Sequence, residues 1–265
     1  MRKLTGALTA IVLILSVLFI SCGKESATVT TARPADLVNL EPGKYIIYQL
    51  DSLVKSNDND TAMVIHSYQA RDVIDAQITD NLGRPSWRVF RYLRDINSTD
   101  ESAWAPNDTY LITPTDRVLE WIDNNQRFVK LSTPFTTDFT WKGNSYINTT
   151  PGDPLDYLQN WDYSYTSVDE PFTLGDLSLD SCTVVLQNDE GVNYANDRDP
   201  QDMDSDGYRI YSLEVYAKHI GLVYKELIHW DFQKRTLDNN GQPALPNPYG
   251  NRVGEGIRLR MLSHN

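Results

Sequence analysis

The densest run of metal-binding side chains is "NDRDPQDMDSDGYRI", in which Asp202, Asp204, Asp206 and Gly207 match the first half of an EF-hand loop. Alternating oxygen ligands can wrap calcium, and the glycine permits the sharp turn between them. A complete loop needs a bidentate Glu at its twelfth position, which here is Leu213, with Glu214 one residue too late. Calcium loops built on hairpins close instead with Asp at the ninth position, which here is Ile210. Both closures are missing. The segment therefore reads first as a solvated hairpin loop whose charge opposes edge-to-edge aggregation. Its second reading is a weak calcium site, with Asp197, Asp199 or Glu190 as spare oxygens.

A second chemical candidate is Glu226 in "GLVYKELIHWDF". Strand parity puts it on one face with Leu222, Tyr224, Ile228, Trp230 and Phe232. A carboxylate among apolar neighbours can serve as an acid or base with a raised pKa. It more often pairs with an arginine, and Arg88, Arg94, Arg258 and Arg260 lie on neighbouring strand candidates. No second carboxylate can be placed beside it from sequence, so a two-carboxylate glycan hydrolase stays an alternative only.

Other constellations are thin. His66, His219, His229 and His264 have no metal-ligand spacing, and no G-x-S-x-G elbow, P-loop or dinucleotide fingerprint occurs. Cys182 shares parity with Val184 and Leu186 and reads as a small buried hydrophobe. Aromatic residues are abundant, with six Trp and fifteen Tyr. Trp87, Trp121 and Trp230 lie in apolar-rich strands and read as core. Trp104, Trp141 and Trp161 fall nearer turns, where an exposed ring can stack on a sugar.

The elements that must position these residues are strands. "KYIIYQLDSLV" alternates with period two, as do "SWRVFRYLR", "YRIYSLEVYAK" and "GIRLRML". "RVLEWID" and "QRFVKLS" flank Asn124-Asn125, a two-residue hairpin turn because Asn tolerates positive φ. About ten to twelve short strands with turn signals between them predict an all-β fold. The architecture expected is a single antiparallel β-sandwich or an open, strongly curved barrel. "NTTPGDPLDYLQN" is the best candidate for a long loop and for a boundary between two β subdomains.

The N-terminus speaks of address. Arg2 and Lys3 precede a run from Leu4 to Ile20 that only Thr5, Thr9 and Ser16 interrupt with hydroxyls. A membrane span needs about 20 apolar residues, so the run is slightly short, and it lacks a strong basic stop. A buried core helix fits poorly at the extreme terminus. A charged start, apolar middle and small-residue end make an export signal. The closing "FISC" resembles the bacterial lipobox, which implies cleavage before Cys22 and acylation of its sulfur and new amine. Several acyl chains anchor a protein stably where one does so marginally. "GKES" after Cys22 lacks an inner-membrane retention aspartate and is similar to the export tags of Bacteroidota surface lipoproteins. The opening "GKYIIY" and the closing "YAKHIGLVYKE" resemble a group of Bacteroidota lipoproteins with no assigned activity, which implies fold and location alone.

The expected organisation is a signal peptide over 1–21, a tether over 22–41 and a β-rich domain over 42–265. If Cys22 is acylated, Cys182 has no partner for a disulfide. A net charge of −12 makes nucleic acid and anionic headgroups poor partners. The leading expectation is a lipid-anchored outer-membrane protein, on its periplasmic or surface side. Its β domain would bind or scaffold a protein or glycan without catalysis. A carboxylate-dependent glycan hydrolase and a calcium-dependent adhesion module are the alternatives, and no cofactor is expected beyond weakly bound calcium.

Overall fold

Period-two alternation, β-branched residues and Asn or Gly turns leave the chain little choice but strands. The computed structural model describes residues 32–55 and 63–265. Twelve strands form: β1 (Tyr45–Lys55), β2 (Met63–Thr79), β3 (Pro85–Asp95), β4 (Ala105–Pro114), β5 (Val118–Asp123), β6 (Gln126–Ser132), β7 (Thr140–Trp141), β8 (Tyr163–Leu174), β9 (Leu177–Val192), β10 (Gly207–Ala217), β11 (Gly221–Gln233) and β12 (Asn251–His264). Among the described residues the only helical pieces are single 3-10 turns. Asn124 and Asn125 have φ of 48° and 61°, the geometry that the β5–β6 hairpin requires.

All twelve strands belong to one antiparallel sheet in the order β6-β5-β4-β3-β2-β1-β12-β11-β10-β9-β8-β7. The sheet curls into a nearly closed, strongly curved barrel rather than a sandwich. The chain ends meet in a long ladder, with β1 paired to β12 from Ile46↔His264 to Val54↔Glu255.

The remaining seam, between β6 and β7, is closed by a few bonds instead of a ladder. The Val129 N–H donates to the Gly143 carbonyl at 2.8 Å, and Trp141 Nε1 donates to the Val129 carbonyl at 2.8 Å. The Tyr165 hydroxyl accepts from the Ser132 N–H and donates to the Ser132 carbonyl. Gly143 is needed here because a Cβ would lie 2.3 Å from the Tyr163 ring.

Outward faces carry ion pairs. Arg84 and Arg127 flank Glu120, Arg88 meets Asp75, and Arg71 and Arg94 converge on Glu101. That is the opposite of the apolar band a lipid-facing barrel presents.

Both ends of the barrel are covered by chain. At one end Pro34–Leu37 makes a 3-10 turn, and Leu37, Val38 and Leu40 pack on the core. These residues fall in the stretch expected to be tether. Their apolar side chains gain more from burial than an unattached spacer would. At the other end the β7–β8 connection folds inward through Leu155, Tyr157, Leu158 and Trp161. It contains the loop expected from "NTTPGDPLDYLQN" and marks no subdomain boundary, since residues 32–265 form one compact unit.

Candidate functional site

Cross-strand partners share a face of the sheet, which identifies the residues that point into the barrel. Glu214 pairs with Lys225, Ser212 with Leu227, and Lys225 with Leu259. From the other half come Asp72 opposite Arg91, Val89 opposite Tyr110, and Trp121 opposite Phe128. Of these, all but Asp72 and Val89 join Lys130 and Tyr163 around a cavity of about 170 Å³.

Two ion pairs are built into this interior. Arg91 grips Asp72 through two hydrogen bonds of 2.7 and 2.6 Å, and the Tyr110 hydroxyl donates to the same carboxylate at 2.8 Å. Across the barrel, Lys130 Nζ on β6 donates to Glu214 Oε1 on β10 at 2.7 Å, and Tyr216 donates to the other oxygen. Burial alone would raise the Glu214 pKa, but Lys130 and Lys225 outweigh it and hold the carboxyl below its usual range.

Lys225 is the third cation. Its Nζ lies 4.0 Å from Glu214 Oε1 and has no hydrogen-bond partner among the described residues. Its side chain is 26% exposed and borders the cavity. Desolvation first, and the neighbouring Lys130 second, push this amine down to about 8. Asp123 on β5 is shifted upward, by burial first and by Asp108 second, and its Oδ1 is buried without a partner.

Gln187 is brought in by a register shift in β9, where Ser212 and Leu213 of β10 face Asn188 and Leu186 and skip it. Such bulges re-aim side chains. Its Oε1 accepts from Ser212 Oγ at 2.7 Å, whereas Nε2 has no partner although the residue is only 3% exposed. A buried amide end left unpaired is costly and requires an explanation.

The rest of the lining is aromatic rings and leucine side chains. Trp161, only 4% exposed, donates Nε1 to the Tyr157 carbonyl, and Tyr157 stacks on His229 with centroids 4.1 Å apart. The inward loop is thereby fixed over the cavity. Trp121, Phe128 and Tyr163 complete the walls.

The residues singled out from sequence lie mostly elsewhere. Glu226 is on the outer face of β11, where Arg258 donates to its Oε1 and the Tyr224 hydroxyl to its Oε2. Leu222 does not share that face. A register shift between Val215 and Tyr216 leaves Val223 as the extra residue and turns Leu222 into the barrel. Tyr224, Glu226, Ile228 and Trp230 are turned the other way.

The three aspartates of the acidic loop do not converge. Asp204 pairs with Arg235 at 2.5 Å, Asp206 accepts from the Lys234 N–H, and Asp202 caps the Asp204 N–H and Ser205. Among the described residues no group of three His, Cys, Asp or Glu side chains is placed to hold a metal. Asp197 and Asp199 instead meet Arg209 and Arg252, pinning the loop across the outer face over Trp230.

Of the three turn-side tryptophans, Trp161 lines the cavity, Trp141 packs on Tyr165 at the seam, and Trp104 is held between Arg71 and Arg94. Cys182 is buried, and desolvation raises its thiol to about 11. Cys22 lies outside the described residues.

Sequence reasoning missed Lys130, Glu214, Lys225, Asp123 and Gln187. "FVKLS" and "VYKEL" look like ordinary alternation with the charge in water. The available signal was that neighbours on both parities of "GLVYKEL" are apolar, so one charge at least had to point inward. No protein-family model matches the chain, and no curated protein matches it.

Proposed function

We propose that this chain is a lipoprotein anchored to the outer membrane through acyl groups on Cys22. Its barrel acts as a binding module that takes a small ligand into its interior without transforming it. The observation that carries the binding role is the cavity of about 170 Å³, roofed by Trp161 and Tyr157 and lined by polar groups that lack partners. A barrel selected for stability alone would fill that space with aliphatic side chains. The acidic surface keeps nucleic acid away, and the lipid supplies the membrane contact.

A thermal-shift and tryptophan-fluorescence survey tests this with anionic, cationic and neutral ring compounds small enough for the cavity. Trp121 and Trp161 are the reporters. At least one class is expected to raise the melting temperature and alter the fluorescence, and silence from all three overturns the binding role. For the anchor, Cys22→Ala should abolish incorporation of a fatty-acid probe, and continued labelling rejects acylation at that residue. The calcium-dependent alternative rests on the acidic loop. Calorimetric titration with calcium should give no heat where Asp204 already holds Arg235.

A further inference from the structure

Among the described cations that line the cavity, Lys225 alone donates no hydrogen bond to a carboxylate. Arg91 is neutralised by Asp72 and Lys130 by Glu214, both through hydrogen bonds at 2.7 Å or less. Lys225 reaches the same Glu214 only at 4.0 Å. The groups facing it from the surrounding elements are Lys130 on β6, Glu214 on β10, Asp123 on β5 and Arg91 on β3. Asp123 faces Lys225 without contacting it, so the cavity offers an ammonium whose hydrogen bonds are unmet.

Size and shape restrict the bearer of that charge. An apolar cavity of about 150 Å³ holds benzene, and this one measures about 170 Å³. Trp121, Phe128, Tyr157, Trp161 and Tyr163 supply ring faces, which favour a flat or cyclic body. A phosphate dianion would bring two charges to one ammonium that already faces Glu214 and Asp123. A carboxylate brings one, and its two oxygens suit one ammonium and one amide N–H. Gln187 Nε2 is the unpaired buried amide, and the partnerless Asp123 Oδ1 can accept from a ligand hydroxyl.

Resting on the binding role proposed above, we infer that the cavity is a seat for six-membered-ring monocarboxylates. The carboxylate is held by Lys225 and Gln187, and the ring lies against Trp161 and Trp121. Hydroxylated members of the class gain a contact with Asp123. Aromatic acids and uronic acids share this chemistry.

Calorimetric titration of the full barrel with benzoate, 4-hydroxybenzoate and glucuronate, each against its neutral amide, tests the assignment and separates the two sources. Expected is binding of at least one acid, with the matching amide weaker by roughly ten- to hundredfold. Lys225→Met should lower affinity for the acid by a similar factor and leave the amide unchanged. Gln187→Leu should lower it less. Equal affinity for acid and amide, or full retention by Lys225→Met, overturns the carboxylate seat. So does a cavity that binds only neutral or cationic rings, an outcome that spares the binding role itself. A cavity that binds no ring compound and holds only water removes both. Circular dichroism of each variant confirms that a loss of binding is not a loss of fold.

Discussion

The two ends of the barrel interior differ in how fully they are packed and in how many charges they hold. At the end covered by Pro34–Leu40, the side chains of Ile46, Ile74, Val89 and Ile112 close around a void of about 40 Å³. At the end covered by Trp161, the same twelve strands enclose about 170 Å³ bordered by Lys130, Glu214, Lys225 and Gln187. One chain, one sheet and one solvent give both ends, so the second is not a limit on how well this fold can pack. Buried charge and unpaired polar atoms are kept there at a cost to stability, a pattern common at functional sites.

The largest expected effect comes from breaking the ion pair that spans the polar end. Lys130→Met leaves Glu214 buried without a contacting cation, at a cost of about 3–5 kcal/mol near neutral pH. Glu214 has its pKa lowered in the folded state, so the pair's contribution is present above about 4.5, the unfolded value. It is lost as pH falls through the folded value. Denaturant unfolding of variant and parent should therefore converge in acid, and a gap that does not narrow removes the electrostatic explanation.

Ile112→Ala at the apolar end should cost about 2–5 kcal/mol through lost transfer energy and the cavity left behind. This loss should hardly change between pH 4 and pH 9, since no titrating partner is removed. A strong pH dependence would mean that the two ends are coupled.

Lys225→Met should act in the opposite direction, stabilising the free protein by on the order of 3 kcal/mol at pH 7. The Lys225 pKa is about 8 when folded and 10.5 when unfolded, so between these values the unfolded chain binds more protons. Stability of the parent thus rises with pH across that window, and the advantage of the substitution fades there. A destabilised Lys225→Met at pH 7 would show that the ammonium is better solvated than its surroundings indicate. Gln187→Leu should change stability least, within about 1 kcal/mol, because it removes an unpaired donor along with one hydrogen bond from Ser212.

Local rules made much of the fold legible. The Asn124-Asn125 turn, the strand of "YRIYSLEVYAK" and the excursion between β9 and β10 follow from turn chemistry and period two. The choice between barrel and sandwich did not follow, because strand order is a long-range property that depends on β1 meeting β12. The candidate site was hidden for a different reason. Register shifts at Val223 and Gln187 reverse parity, so the residues that enter the barrel cannot be counted off from a single end. Sequence drew the eye to Asp202, Asp204, Asp206 and Glu226, which are clustered or amphipathic. The interior charges are scattered over β2, β3, β5, β6, β10 and β11 and converge only when the sheet curls.

The junction of β1 and β12 has a consequence for how the chain could be rewritten. The Tyr45 N–H donates to Asn265 Oδ1 at 2.7 Å, and the Asn265 N–H returns to the Tyr45 carbonyl at 3.3 Å, so the barrel begins where it finishes. Its true break is the short β6–β7 connection, where few bonds are made. In topological terms the domain is a ring, and its first and last strands meet at one of its longest ladders. A circular permutant that links residue 265 to residue 45 and opens between β6 and β7 keeps every ladder of the sheet.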